Sequence, residues 1–541
     1  MKSTEKLLSI TNLKKYFPIA KSSIFQKEQL YVRANEEITI DIHSGETFGL
    51  VGESGCGKST LGRTILQLYP QTAGSTLYYG RTIEEFAPSY VTKTLEKAPK
   101  MIAEWKKLQT KAENAAAEVE KAGEQATFFQ HQNKNLFAAE ADTAFQNVVK
   151  IMGGFASLDD PTEGAKVLLK KYQTNIRLAK LNDRIRDLDG EIAFHEAVAK
   201  ELQEDETVKN PQGKINSALK KAEAIRKKKT DLQPELDKLN AILRDDEAAV
   251  QAVKAKYADD ARFQEYEAML DNGIDLSRLK YSEMRILRKD IQIIFQDPYS
   301  SLNPRMTVGQ IIGEGLTTHK FFKPGDPKMK EYIIDVMEKC GLQGYMLHRY
   351  PHQFSGGQRQ RICIARALAV KPKFIVCDEC VSALDVSIQS QIINLLEELK
   401  QTDNLTYLFI SHDLSVVRYI SDRIGVMYLG NMVELGTAEE VFSDPRHPYT
   451  VALLSSIPTT DPDSANKDRI ILEGNIPSPI RPPEGCKFHT RCYMACDKCK
   501  VVPPPYVEVS PGHFCACHFL DQKIDEKGNY LFERTDKKQE K

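Results

Sequence analysis

The strongest constraint in this sequence is Val51-Gly-Glu-Ser-Gly-Cys-Gly-Lys-Ser-Thr60, which fits the spacing G-x-x-x-x-G-K-[ST]. The preceding Thr47-Phe-Gly-Leu-Val51 is short, apolar and partly β-branched, so it reads as a buried strand, and Leu61–Leu68 reads as a helix. Strand, glycine loop and helix together let backbone N–H groups curl around phosphate oxygens that a Cβ would obstruct. The helix N-terminus adds roughly half a positive charge at the same place. In such a loop Lys58 reaches the β- and γ-phosphates and the Ser59 hydroxyl binds Mg²⁺. Gly52, Glu53, Ser54, Gly55, Cys56, Gly57, Lys58, Ser59 and Thr60 are therefore the candidate ATP-binding residues.

The chain has 541 residues, too many for one ordinary domain. Its 74 Lys+Arg against 75 Asp+Glu leave a net charge of −1, so charge gives no reason to expect nucleic acid or anionic lipid as the main partner. No apolar run approaches the length needed to span a membrane, and the first residues lack the apolar core of a signal peptide. The expectation is a cytosolic protein with reduced thiols. Of its 11 cysteines, six lie between Cys486 and Cys517, which points to a local role there.

Five segments follow from the change of pattern along the chain: 1–84, 85–280, 281–455, 456–520 and 521–541. In the first, Leu7–Ile10, Leu30–Val32 and Ile38–Ile42 read as strands of an antiparallel layer, followed by the phosphate-loop strand. In the second, apolar residues recur at helical spacing. One run is Met101, Trp105, Leu108, Ala112, Ala115 and Val119; another is Leu178, Leu181, Ile185, Leu188, Ile192, Ala199 and Leu202, with His195 in the seam. A third begins at Ile215 and continues through Leu239 to Val253. Successive heptads predict coiled-coil or bundle helices, with a hairpin tip at 204–213 and Pro234 kinking the returning arm or limiting its first turn. The third segment returns to strands at Ile291–Phe295, Phe374–Cys377 and Tyr407–Ile410, separated by helices, which implies a parallel sheet. The fourth is rich in Pro and Cys with little periodicity, and the last is charged and expected to be mobile.

Further motifs follow in fixed order: Phe295-Gln-Asp-Pro298, Phe354-Ser-Gly-Gly-Gln-Arg-Gln-Arg361, Phe374-Ile-Val-Cys-Asp-Glu379 with Ser382-Ala-Leu-Asp385, and Ile410-Ser-His-Asp413. A lone Asp-Glu pair is ordinarily a solvated pair, and a lone His an ordinary surface or core residue. Their joint order is what carries information. At this point the chain resembles the ATP-binding cassette (ABC) family. More closely, it resembles the ATPase subunits of bacterial oligopeptide/dipeptide (and nickel) importers, through Leu13–Ile19, Asp297–Met306, Arg446–Thr450 and the tail beginning Pro482-Pro-Glu-Gly-Cys486. The resemblance covers about 1–80 and 285–520 and leaves out the helical insert. It implies an α/β P-loop ATPase with an antiparallel β layer, a parallel core sheet, a helical subdomain and a small Cys-rich C-terminal segment.

The resemblance also assigns roles. Asp378 ends an apolar strand, where its carboxylate holds Mg²⁺ through water, and Glu379 polarises the attacking water. Gln296 contacts both, and His412 contacts the γ-phosphate. Phe17 stacks on adenine, with Tyr16 the runner-up. Ser355, Gly356, Gly357 and Gln358 open a helix and form a second anion-binding corner, which closes on ATP held by another cassette, with Asp385 at the contact. The implied partners are a second ABC ATPase subunit, two transmembrane permease subunits and, indirectly, an extracytoplasmic peptide-binding protein, with no nucleic acid. The implied place is the cytoplasmic face of the membrane. One departure is Cys380-Val381, where the family has Pro-Thr or Pro-Val; losing the proline loosens the turn.

Cys486, Cys492, Cys499 and Cys517 match the importer tail whose cysteines bind a [4Fe–4S] cluster. Four thiolates also suit Zn²⁺, and plain reduced thiols are the third reading. The segment is expected to bury little core and to draw its stability from a metal centre. Lys58 and Gln296 stand 238 positions apart, whereas a strand–helix–strand step needs about 30 residues. The added residues are either a tolerated surface decoration or an arm that reaches a partner. Two other functions deserve comparison. A soluble ABC-type ATPase of the SMC or DNA-repair kind normally places its coiled coil after the Gln loop, whereas this insert precedes Gln296. A scaffold with a dead site is opposed by intact Lys58, Asp378, Glu379 and His412.

Overall fold

A computed structural model of the chain describes residues 5–21, 29–204, 211–322, 327–457, 470–524 and 530–534. Most of the expected hairpin tip at 204–213 and most of the charged tail at 521–541 lie outside the described residues. The chain divides into two compact units, residues 1–80 with 275–541, and residues 81–274.

The first unit opens with strands β1 (Lys6–Pro18), β2 (Tyr31–His43) and β3 (Thr47–Val51), then helix α1 (Lys58–Ile65) and strand β4 (Ala73–Thr82). β1 pairs antiparallel with β2 and with β4. Two separate strands were expected at 30–32 and 38–42, yet β2 runs through both. The ladder absorbs the interruption as a bulge, with Glu37 at φ 52 and a register shift between Leu13 and Lys15. Lys14 Nζ closes the bulge by donating to Glu36 at 3.0 Å and Glu37 at 2.8 Å.

The second unit is helical. After α2 (Ile83–Phe86) and α3 (Ser89–Glu96) come α4 (Ala98–Ala122), α5 (Phe128–Met152), α6 (Thr162–Glu204), α7 (Gln212–Thr230), α8 (Gln233–Ala255) and α9 (Ala261–Glu267), then the short strand β5 (Gly273–Asp275). α6 has 43 residues and packs against both α7 and α8. Leu178, Leu181, Leu232 and Leu239 form one buried cluster along this contact, and Ala199, Ile215 and Ala218 another. Pro234 lies in the first turn of α8, where its missing N–H costs nothing, so the returning arm is divided into two helices at that point. Gly153, at φ 52, turns the chain out of α5. Trp105, Phe145 and Tyr266 join α4, α5 and α9 through ring centroids 4.9 to 6.5 Å apart.

The first unit then resumes with α10 (Tyr281–Leu287), β6 (Ile291–Ile294), α11 (Pro298–Ser301), α12 (Val308–Thr318), α13 (Pro327–Lys339), α14 (Gly356–Leu368), β7 (Phe374–Asp378), α15 (Val386–Asp403), β8 (Thr406–Ile410) and α16 (Leu414–Ile420). It ends with β9 (Arg423–Tyr428), β10 (Asn431–Thr437), α17 (Ala438–Ser443), α18 (Pro448–Ser455), α19 (Asp497–Val501), β11 (Val507–Ser510), β12 (His513–Cys515) and the antiparallel pair β13 (Leu520–Ile524) and β14 (Tyr530–Arg534). Among the described residues the core sheet has the order β11-β12-β10-β9-β3-β8-β7-β6. The run from β9 to β6 is parallel, and β10, β12 and β11 extend it antiparallel. Every residue of β3, β7 and β8 is buried, which accounts for their nearly unbroken apolar sequences.

The Cys-rich tail does not stand apart from this core. β12 pairs with β10, and Phe488 joins the cluster that holds Val51, Phe409, Tyr428 and Tyr449. His513 Nε2 lies 2.9 Å from Glu434 Oε1, with both side chains buried. Of the described residues of 456–520, the buried apolar ones are Phe488, Met494, Cys499, Val509 and Cys515, in keeping with the expectation that the segment buries little core of its own, although Phe488 inserts into the core of the first unit. Among the described residues no helix is long and apolar enough to cross a membrane.

Candidate active site

The phosphate loop joins β3 to α1, and two of its glycines are dictated by crowding. Gly52 has φ 147, and a Cβ there would stand 2.2 Å from Met427 O; Gly57 has φ 105, and its Cβ would meet Ala34 O at 2.2 Å. Gly57 caps α1 without a side-chain hydrogen bond, so the first-turn N–H groups are left for an anion. Lys58 is buried, and its Nζ donates to Gly52 O at 2.8 Å and Glu53 O at 3.0 Å. Asn35 Nδ2 donates to Gly57 O at 3.0 Å and steadies the loop from β2.

A cavity of about 370 Å³ opens beside this loop, lined by Ser54 to Thr60, Phe17, Gln296 and Glu379, with Val32 to Ala34, Leu429, Gly430 and Pro479 completing the wall. Phe17 lies edge-on to Tyr69 at 5.5 Å, with Lys15 Nζ 4.4 Å from its ring centre. Tyr16 is buried instead, its hydroxyl donating to Glu36, and burial raises its pKa far above the ordinary value. The geometry thus favours Phe17 over Tyr16 as the ring facing the cavity.

Three side chains converge at the carboxyl ends of the adjacent parallel strands β6, β7 and β8. Gln296 Nε2 donates to Glu379 Oε2 at 2.8 Å, and His412 Nδ1 lies 3.7 Å from the same oxygen. Glu379 has φ 49 and its N–H donates to Ile410 O at 3.0 Å. The turn after it, where Cys380 stands in place of proline, is held by Ser382, whose N–H and hydroxyl both donate to Glu379 O. Asp378 is buried at the end of β7, and its Oδ2 accepts from Arg63 Nη2 at 3.1 Å. Its Oδ1 finds no hydrogen-bond partner, which fits a carboxylate oxygen suited to a cation or its water.

Ser355 caps α14 reciprocally with Gln358, its N–H donating to Gln358 Oε1 at 3.1 Å. A Cβ on Gly356 would make only ordinary contacts, 3.7 Å from Leu384 Cδ2 and 3.9 Å from the Tyr299 hydroxyl, whereas one on Gly357 would stand 2.4 Å from Ile388 Cγ2. Asp385 caps α15, accepting from Ile388 N–H at 3.0 Å, and that bond lowers its pKa. None of Ser355, Gly356, Gly357, Gln358 and Asp385 lines the cavity of the phosphate loop.

Two residues escaped the sequence reading. Arg491 makes a bidentate ion pair with Glu53 of the phosphate loop, and the Tyr449 hydroxyl accepts from the Glu53 N–H at 2.8 Å. The available signal was Glu53 itself, a carboxylate in a loop built for an anion, which calls for a cation beside it.

In the tail, burial pushes the Cys492 thiol up to about 12, with Cys486, Cys517 and Cys499 adding to the rise. Burial also raises Cys486 and Cys499. The Cys486 N–H donates to Cys499 O at 2.8 Å, and Cys496 Sγ lies 3.5 Å from Cys499 Sγ. Among the described residues, however, no three His, Cys, Asp or Glu side chains are arranged to hold a metal ion.

Residues 35–239 and 261–382 match the family described as ABC transporter, and residues 433–499 match the oligopeptide/dipeptide transporter C-terminal region. The oligopeptide transport ATP-binding protein AppF of Bacillus subtilis is 54% identical over 252 residues, 46% of this chain and 76% of that protein. The putative oligopeptide transport ATP-binding protein YkfD of the same organism is 51% identical, over 46% of this chain and 75% of that one. The oligopeptide transport ATP-binding protein OppF of Haemophilus influenzae is 51% identical, over 45% and 74%. These matches lend no support to the SMC or DNA-repair alternative.

Proposed function

Because the chain belongs to the ABC transporter family, we propose that it is the ATP-hydrolysing subunit of a membrane importer for oligopeptides or dipeptides. The observation that carries this reading is the union on one chain of an ABC cassette and the oligopeptide/dipeptide transporter C-terminal region.

In this mechanism the phosphate loop takes the triphosphate, with Gly52 to Thr60 around it, Lys58 on the β- and γ-phosphates and Phe17 on the adenine. Ser59, Gln296 and Asp378 would hold Mg²⁺, which when bound offsets the charge of the phosphates. Glu379 polarises the attacking water, Gln296 orients Glu379 and that water, and His412 secures the γ-phosphate as charge develops. The hydrogen bond from Gln296 to Glu379 and the approach of His412 to the same oxygen support these roles. Ser355, Gly356, Gly357, Gln358 and Asp385 complete the site of a second cassette. Their separation from this chain's own cavity supports that arrangement. Two permease subunits and an extracytoplasmic peptide-binding protein complete the assembly, which places this subunit at the cytoplasmic face of the membrane.

The segment limits 1–84, 85–280, 281–455, 456–520 and 521–541 are proposed as functional units. Helices α4 to α8 act as a coiled-coil-like arm, a reading supported by the Leu178–Leu239 seam. Cys486, Cys492, Cys499 and Cys517 are proposed ligands of a [4Fe–4S] cluster, with Zn²⁺ the alternative; the hydrogen bond from Cys486 N–H to Cys499 O, which brings two of them together, supports this. Iron and zinc analysis of anaerobically purified protein tests this. Iron lost in Cys486→Ser and Cys492→Ser is expected, and metal-free protein contradicts it.

The test of the whole reading is anaerobic affinity purification of the tagged chain from solubilised native membranes. Recovery of a second cassette ATPase and two polytopic membrane proteins is expected. Recovery of soluble proteins alone would contradict an importer.

A further inference from the structure

Glu53 is the residue of the phosphate loop that phosphate binding does not explain. A carboxylate near a triphosphate repels it, and the repulsion is strong where water is partly excluded. Glu53 is absent from the cavity wall, although Ser54 to Thr60 line it. Its carboxylate is turned onto Arg491, whose Nη1 donates to Oε2 at 2.7 Å and whose Nη2 donates to Oε1 at 2.9 Å. This is the fork-on-fork geometry that makes arginine–carboxylate pairs both strong and directional. The Arg491 side chain is 6% exposed and that of Glu53 24%, so the pair is only partly screened by solvent.

Arg491 is itself held in place. Phe488 is buried against Tyr428 and Tyr449, with ring centroids 5.1 and 5.3 Å away. The Arg491 N–H donates to Phe488 O at 3.0 Å, and its guanidinium lies 6.0 Å from the Tyr428 ring centre. Tyr449 in turn accepts from the Glu53 N–H. Residues 433–499, the matched C-terminal region, therefore grip one loop residue twice, its backbone through Tyr449 and its side chain through Arg491. They enter the core by Phe488 and reach the loop by Arg491.

We propose that Arg491 is a positioning residue for ATP binding: it holds the Glu53 carboxylate away from the triphosphate and keeps the loop curled to receive it. The proposal rests on the reading that this loop binds ATP. Arg491 touches neither the nucleotide nor the reacting atoms, and it acts through Glu53.

The experiment is a titration of the full-length protein with a fluorescent ribose-labelled ATP, applied to the wild type, Arg491→Met, Arg491→Lys, Glu53→Gln and the double variant Arg491→Met with Glu53→Gln. Arg491→Met is expected to weaken binding about tenfold or more. Arg491→Lys keeps the charge but loses the fork and is expected to weaken binding about threefold. Adding Glu53→Gln to Arg491→Met should restore most of the loss, because no carboxylate then needs holding away. A purely structural role for Arg491 would not be rescued in this way. Arg491 variants that bind within twofold of wild type would overturn the proposal, as would a loss that Glu53→Gln leaves undiminished. Failure of the wild type to bind the nucleotide would overturn both this proposal and the site reading beneath it, so the two failures are distinguishable.

Discussion

Glu379, the proposed base, sits in a backbone conformation that non-glycine residues adopt at some cost, with φ at 49. The turn bonds from Ser382 and the bond to Ile410 O over-determine it, so the carboxylate is delivered to Gln296 and His412 without relying on a proline at position 380. Glu379→Gln keeps this shape and the bond to Gln296 but removes the base. Turnover should fall by at least about 100-fold, with ATP affinity kept within a few-fold. Steady-state phosphate release and nucleotide titration check the two halves, and substantial residual turnover would refute the assignment. Most of the candidate site is legible in local motifs: Gly52, Gly57, Lys58 and Glu379 are proposed from their immediate neighbours in the sequence. Arg491 was not, since its meaning depends on Glu53, far away in sequence and adjacent only in the fold.

At the scale of elements, β3, β7 and β8 announce themselves because strands buried on both faces are apolar at nearly every position. β11 and β12 do not, because each is short and gains its place by pairing at the edge of a sheet assembled from other segments. β2 misled for a similar reason: Glu36 and Glu37 look like a break until Lys14 is seen across the bulge. In the insert, Leu239 of α8 lies in the buried cluster with Leu178 and Leu181 of α6. Leu239→Ala should destabilise this contact by about 2 kcal/mol or more. Hydrogen exchange should rise in α6 and α8 while ATP binding stays unchanged. Unaltered exchange would show that the seam does not hold the arm.

Over the whole molecule, buried thiols tie stability to pH. Burial raises Cys340 from 9.0 to about 12 and Cys363 from 9.0 to about 11. Below pH 9 both are neutral in the folded and unfolded chains. Above it the unfolded chain ionises first, so their contribution is lost as the pH climbs toward 11 and 12, at about 1.4 kcal/mol per pH unit for each thiol. Urea unfolding at pH 8 and at pH 10.5 should show a steeper loss for the wild type than for Cys340→Ala or Cys363→Ala. Equal slopes would contradict the linkage.

The proposed role of this cassette is to hydrolyse ATP so that peptides enter the cell. The most direct measurement is uptake of a radiolabelled oligopeptide by native cells whose own copy is replaced by the wild-type chain or by Glu379→Gln. Uptake restored by the wild type and absent with Glu379→Gln, at equal protein levels, is the predicted result. Equal uptake with both chains, or with neither, would contradict it.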